Sequence, residues 1–182
     1  MHIRRAQPID LPAVADIYGR EALEGHATFD LEPRPMAQWE ERLADTGPGQ
    51  HFLVAEDAGS VVGYATSGLY RPKPAYLHTR ETTVYVAAGQ HGRGLGRALY
   101  AELIDRCRVD RVRLLVAGVA LPNPGSIALH RACGYEEVGT MRQAGRKFGR
   151  WIDLTWLQLL LDDVDDEDDP PERPAPPEQP TA

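Results

Sequence analysis

Glycines at 92, 94 and 96 stand between two segments of opposite pattern, an arrangement suited to holding a phosphate. Before them, Thr82, Thr83, Val84, Tyr85 and Val86 are all β-branched or aromatic and read as a strand. After them, Leu95, Leu99, Leu103 and Cys107 recur every four residues, with Arg97, Glu102, Asp105 and Arg108 on other faces of a helix. Where a strand passes through a glycine turn into a helix N-terminus, backbone N–H groups converge and the helix dipole favours negative charge. Missing Cβ atoms let a ligand come close. A phosphate-bearing cofactor is the natural occupant; the plain alternative is a tight connection and nothing more. The run is not a Walker loop, because no Gly-Lys-Ser/Thr follows. Nor is it a dinucleotide GxGxxG, because Arg97 and Leu99 stand where the last glycine belongs.

Two charged residues add a second kind of chemistry. Arg71 lies in Tyr70-Arg71-Pro72-Lys73-Pro74, a loop stiffened by two prolines, and its planar fork suits a carboxylate or similar oxyanion. A lone loop arginine is ordinarily a solvated surface group. Glu81 opens the strand ahead of the glycines. A carboxylate at the mouth of a cleft can take a proton from an ammonium, and desolvation there raises its pKa toward that task. On residue pattern alone, an ordinary polar strand end is the default reading of Glu81.

The elements that must position these residues follow in order. His2 to Arg5 alternates as a first strand, and Asp10 is placed to cap a helix with Pro12 near its start and Leu11, Val14, Ile17, Tyr18 and Ala22 along one side. A loop through Thr28 and Phe29 follows, with Phe29 a core anchor on residue pattern alone. Pro35 opens a second helix through Trp39 and Leu43, ended by Gly47-Pro48-Gly49. Residues 51–56 and 61–69 read as a hairpin across Asp57-Ala58-Gly59-Ser60. Alternation sets Glu81, Thr83 and Tyr85 on one face of their strand and Thr82, Val84 and Val86 on the other. Residues 111–119 form a buried strand, and a helix runs from Ile127 through His130 and Cys133 to Gly134, with Asn123 or Ser126 as its cap. Residues 135–141 and 151–159 complete the sheet, with Ile152, Leu154 and Trp156 alternating against Trp151, Asp153 and Thr155.

At 182 residues one domain over residues 1–161 is expected. Residues 162–182 hold nine acids against Arg173 alone, with six of the fifteen prolines, and are expected to be a disordered, solubilising tail. Setting that net −8 aside from the chain's −7 leaves residues 1–161 at +1, which argues against a nucleic-acid surface. No apolar run approaches the ~20 residues of a membrane span, and no signal peptide is evident. Cys107 and Cys133 fall in predicted helices without CxxC spacing or paired histidines. Buried thiols in a reducing, cytoplasmic compartment are expected, and no metal.

His91-Gly92-Arg93-Gly94-Leu95-Gly96 resembles the acetyl-CoA motif of the GNAT N-acetyltransferase superfamily, Gln/Arg-x-x-Gly-x-Gly/Ala, except that His91 replaces the first residue. Arg4-Arg5-Ala6, Thr28-Phe29, residues 81–86, Leu121-Pro122-Asn123 and Lys147-Phe148-Gly149-Arg150-Trp151 are similar to the branch that includes phosphinothricin and methionine sulfoximine acetyltransferases. The resemblance covers about residues 1–161. It implies a single α/β (α+β) domain of GNAT fold, a mixed, strongly twisted central sheet flanked by helices. It implies acetyl-CoA as cosubstrate, an amino-acid-like acceptor and a homodimer. Glu81 takes the place of the family's proposed base. Main-chain groups of Val84, Tyr85 and Val86 would meet the pantetheine arm, residues from Gly92 through Arg97 the pyrophosphate, and Asn123 and Ser126 the rest of CoA. Phe29, Arg71, His78 and Thr79 would line the acceptor site, and His130 or Tyr100 would protonate the departing thiolate. The expected reaction is direct acetyl transfer to the α-amine of methionine sulfoximine, methionine sulfone or phosphinothricin. Acetylation of a protein N-terminus or a polyamine, and a non-catalytic CoA-binding regulator, remain the other readings.

Overall fold

Leu53 and Ala55 point one way along a strand and Phe52 and Val54 the other, and all four are buried. A strand so covered lies inside a sheet with layers on both faces. The computed structural model, which describes residues 1–161, shows that arrangement. Its strands are β1 (His2–Arg5), β2 (His51–Asp57), β3 (Ser60–Leu69), β4 (Thr79–Val86), β5 (Leu114–Ala120), β6 (Glu136–Lys147) and β7 (Arg150–Leu160). They form one mixed sheet in the order β1-β2-β3-β4-β5-β7-β6. Every neighbouring pair is antiparallel except β4 with β5. The expectation made for residues 162–182 lies outside the described residues.

The four helices are α1 (Leu11–Glu24), α2 (Met36–Ala44), α3 (Leu95–Val109) and α4 (Pro124–Ala132). The predicted four-residue stripe of α3 is its buried side: Leu95, Leu99, Leu103 and Cys107 pack on Leu53, Ala65, Leu115 and Leu157. On the opposite face Leu11, Val14 and Tyr18 of α1 and Trp39 of α2 pack on Phe52, Val54 and Tyr64. Trp39 and Tyr64 meet edge to face at 5.7 Å, as do Tyr18 and Tyr85 at 5.3 Å.

Several local expectations are corrected. Asp10 stands at the N-cap of α1, but its side chain makes no cap bond. Arg4 grips its carboxylate with both nitrogens, at 2.6 and 2.8 Å, and the Gln7 N–H donates to it at 2.7 Å. A bidentate, charge-assisted pair outcompetes one cap bond. The helix α2 ends at Ala44, before the glycines. Strand β5 begins at Leu114, not Arg111, because Arg111 takes φ +57 in the turn leaving α3. Cys133 is the C-cap of α4 and half-exposed, while Cys107 is buried and its thiol is pushed up to about 11 by burial. Both are free cysteines. Strand β6 runs to Lys147, past the expected Met141, through bulges near Glu137 and Met141. On β7 Ile152, Thr155 and Leu157 are buried, Leu157 in the cluster beneath α3, while Leu154 and Trp156, on the same face as Ile152, are half-buried. That strand is therefore inside on both sides.

Candidate active site

The one parallel pair of the sheet is short. β4 and β5 pair at only three positions, Thr79 with Leu114, Arg80 with Leu115 and Glu81 with Val116. Beyond Glu81 the strands part, and the Thr82 hydroxyl takes up the Val116 carbonyl at 3.2 Å. On its other side β4 stays paired with β3 through Val86, and the Ala87 N–H reaches Val62 O at 2.9 Å. In an antiparallel ladder successive residues alternate sides, so Tyr85 and Thr83 share the β3 side with Ala87. The main-chain groups of Val84 and Val86 therefore face the gap. Donors and acceptors facing such a gap need a partner, and a linear chain bearing amides would supply one.

At the end of that gap the chain turns through the glycines. Gly92 and Gly94 adopt φ +77 and +79, a conformation other residues enter only at a cost of roughly 1–2 kcal/mol. Open space surrounds the positions where their Cβ atoms would stand. Gly96 is different: its Cβ would lie 2.8 Å from Leu129 Cδ2, so its smallness brings α3 against α4. The turn thus leaves a cradle at the N-terminus of a 15-residue helix. Arg93 donates to Asp57 at 2.8 Å and to Gln90, and so is engaged at the rim. His91 and Arg97 are exposed.

The α1 face of the sheet carries Tyr85 and, by strand parity, Glu81. Glu81 stands there exposed at the end of the pairing, yet surrounding protein raises its carboxyl pKa by burial, with Arg71 opposing that shift. Arg71 lies 4.9 Å over the Tyr70 ring, and Tyr70 meets Trp156 edge-on at 6.0 Å. Trp156 spreads across Gly118, where an added Cβ would meet Leu154 at 3.3 Å and Trp156 at 3.7 Å. Thr79 shares the strand parity of Glu81. His78 does not join them: its ring lies 3.4 Å from Arg111 O and its own carbonyl receives Arg113 and Leu114 N–H. Phe29 is partly exposed and its ring fills the space over Gly145. Tyr70, Gly118, Gly145 and Trp156 were not singled out as site residues in the sequence. A tryptophan alternating along an apolar strand looks like core, and only the facing glycine reveals that its ring lies over the sheet.

Two other features lie apart from this chemistry. A groove of about 530 Å³ between α1 and α2, lined by Leu11, Pro12, Met36 and Leu43, has Glu40 as its one ionisable side chain. Among the described residues no cluster of His, Cys, Asp and Glu is placed to hold a metal ion.

The pattern of the acetyltransferase (GNAT) domain matches residues 3–156. This chain belongs to the GNAT family. It is 42% identical over 166 residues to a phosphinothricin N-acetyltransferase of Streptomyces coelicolor, covering 88% of this chain and 96% of that one. It is also 42% identical over 163 residues to the L-methionine sulfoximine/L-methionine sulfone acetyltransferase of Pseudomonas aeruginosa, covering 88% and 94%. The crystal structure of a GNAT phosphinothricin acetyltransferase from Sinorhizobium meliloti in complex with acetyl-CoA superimposes with a TM-score of 0.87 at 36% identity, over 94% of this chain and 93% of that one. This GNAT protein is an acetyl-CoA-dependent N-acetyltransferase. The gap beside Val84 and Val86 and the open glycine cradle fit the amide arm and pyrophosphate of that donor.

In this GNAT domain Tyr100 and His130 are bound to each other beneath the sheet. Both are buried, and Tyr100 Oη lies 2.9 Å from His130 Nε2. His130 Nδ1 lies 2.7 Å from Ser126 O, a carbonyl that can only accept, so Nδ1 carries a proton and Nε2 accepts from the tyrosine. Burial pushes His130 below its ordinary value and Tyr100 well above its own, so both are neutral. Tyr135 stacks on Tyr100 at 5.7 Å and meets His130 at 5.1 Å. Asn123 caps α4, its Oδ1 accepting from Ser126 N at 3.0 Å.

Proposed function

We propose that this chain transfers acetyl from acetyl-CoA to the α-amine of a small amino-acid analogue, with methionine sulfoximine, methionine sulfone and phosphinothricin as the leading acceptors. The observation that carries the reading is Glu81 at the point where β4 leaves β5, its carboxyl raised by burial and close enough to Arg71 for the two charges to interact. A zwitterionic acceptor has an ammonium for the first and an acid group for the second. The names of the relatives support the acceptor class.

In this reading Glu81 takes a proton from the ammonium, directly or through one water. The freed nitrogen attacks the thioester carbon, the C–N bond forms and the C–S bond breaks in a direct ternary complex. A main-chain N–H in the β4–β5 gap faces the developing oxyanion. Residues from Gly92 through Gly96 hold the pyrophosphate, with Arg97 at its edge and Arg93 available after leaving Asp57. Phe29 and Thr79 belong to the acceptor wall, while His78 is directed to the α3–β5 junction. Thiols ionise near pH 8.5, so the thiolate leaves with little help from an acid. With the Tyr100 proton already committed to His130, no catalytic role is assigned to either residue.

The test is thiol release from acetyl-CoA with methionine sulfone, phosphinothricin, spermidine and a short peptide as acceptors. Turnover of the peptide or polyamine alone would sink the acceptor class. Binding of CoA without any turnover would favour the regulator. For Arg71→Ala we expect the acceptor KM to rise about tenfold or more, with the acetyl-CoA KM unchanged, as for a lost charge-assisted bond to ligand.

We also infer a homodimer in the cytoplasm. Val138, Met141, Phe148 and Trp151 leave a large apolar surface exposed on the edge hairpin β6–β7, and both cysteines are free thiols. Sedimentation of the full chain is expected to give twice the 20.1 kDa chain mass, and a monomer at micromolar concentration would refute the pairing.

A further inference from the structure

Lys147 is the last residue of β6, and only 2% of it is exposed. A lysine buried this deeply is uncommon unless its ammonium has partners. Here it donates to Thr28 O at 2.9 Å and Glu21 O at 3.3 Å, across more than a hundred residues of sequence. Two residues earlier on the same strand, Gly145 has no side chain, and Phe29 occupies the space. A Cβ there would lie 2.8 to 2.9 Å from three carbons of the ring. The end of β6 therefore holds consecutive residues, Thr28 by a bond and Phe29 by a vacancy cut to its shape.

The loop 25–30 that carries them is fixed elsewhere as well. Ala27 N donates to Glu21 Oε1 at 2.7 Å, and Ala27 O accepts from Tyr85 Oη at 3.4 Å. Tyr18 Oη bonds Thr28 Oγ1 at 2.7 Å, and Asp30 N donates to that same oxygen at 3.1 Å. His26 Nε2 donates to Pro122 O at 2.8 Å. Tyr85 stands four residues along β4 from Glu81, about 13 Å at strand rise. An acceptor whose amine lies at Glu81 would extend its side chain along this face toward the loop that Tyr85 holds.

We propose that Lys147 is the positioning residue of the acceptor site, holding the loop 25–30 so that Phe29, seated on Gly145, sets how long an acceptor side chain can be. The proposal rests on the acceptor reading above. Lys147 touches no reacting atom; it acts through the loop. Burial lowers its pKa while Glu21 and Asp30 oppose the shift, which fits an ammonium held by carbonyls rather than by a direct ion pair.

The experiment compares wild type, Lys147→Met and Gly145→Ala on two acceptors that differ by one methylene, methionine sulfone and S-methylcysteine sulfone. Methionine keeps the length of the side chain and removes its donors; the alanine displaces Phe29 by a different route. In both variants we expect the ratio of kcat/KM between the two acceptors to move toward one. The acceptor KM should rise about ten- to hundredfold, and the acetyl-CoA KM should hold. Hydrogen exchange at the Ala27 amide should quicken in Lys147→Met. A purely structural lysine would lower both acceptors by the same factor, and that result, or an unchanged Ala27 amide, overturns the proposal. Wild-type inactivity on both sulfones sinks this inference, and the acceptor class with it when phosphinothricin is also left untouched, whereas wild-type turnover with an unmoved ratio in the variants sinks this inference alone.

Discussion

Glu81→Gln is expected to lower kcat about a hundred- to ten-thousandfold while leaving acetyl-CoA binding intact, the range typical of a lost general base. The amide keeps the shape of the carboxylate and removes only its basicity. In wild type, kcat/KM should rise with pH through an acid limb centred above the ordinary carboxylate range, because burial raises the Glu81 pKa and Arg71 only partly opposes it. The variant should lose that limb. Stability should move the other way. A raised value means that the folded protein binds this proton more tightly than the unfolded chain does. The carboxyl's contribution to folding is therefore present at low pH and lost as pH rises through the folded pKa. Glu81→Gln should then melt at or above the wild-type temperature at neutral pH, a site residue trading stability for activity. A variant that keeps its acid limb and most of its rate would remove Glu81 from the chemistry.

Leu99→Ala should cost about 3 kcal/mol, within the range for emptying a fully buried leucine site. In a domain of this size that corresponds to a midpoint lower by about 6–12 °C. The site cannot relax easily. Gly63 runs beneath the helix so closely that an added Cβ there would lie 3.0 Å from Tyr85 O and 3.4 Å from Leu99 Cδ1. The strand carrying Tyr85 is β4 itself, so the cavity would open against the strand that borders the β4–β5 gap. Leu99→Met, which nearly conserves volume, should cost under about 1.5 kcal/mol. Equal midpoints for the alanine and methionine variants would contradict this packing.

The parts legible in the sequence were those whose function is written in residue type. Positive φ at Gly92 and Gly94 needs glycine, and the buried stripe of α3 needs a leucine every fourth position, so the turn and its helix could be read before any fold was known. Pairing is different. Nothing in Thr82, Val84 or Val86 records that β5 stops following β4 after Glu81, because hydrogen-bond partners belong to the backbone. The far half of β6 was missed for a related reason: Arg142, Gln143 and Arg146 have no strand pattern and are held by β7 through bulges, with Gln143 N donating to Asp153 at 2.8 Å. Glu81 itself became informative through family resemblance, since a glutamate at a strand end is common. Lys147 was visible only as part of a motif shared with the branch, because a buried lysine is defined by the carbonyls around it.

The brief pairing of β4 with β5 gives this sheet a third margin. Besides its outer strands β1 and β6, it has an interior edge, open toward the gap and flanked by two strands of the same molecule. An exposed edge ordinarily invites another protein strand. An arriving peptide would bring side chains above and below the sheet, where Tyr85 packs with the α1 layer on one face and Leu99 and Tyr100 with the α3 layer on the other. A slender chain of amides without side chains meets no such obstacle. The gap thus admits an unbranched chain of amides and screens out the polypeptides that could otherwise complete the sheet.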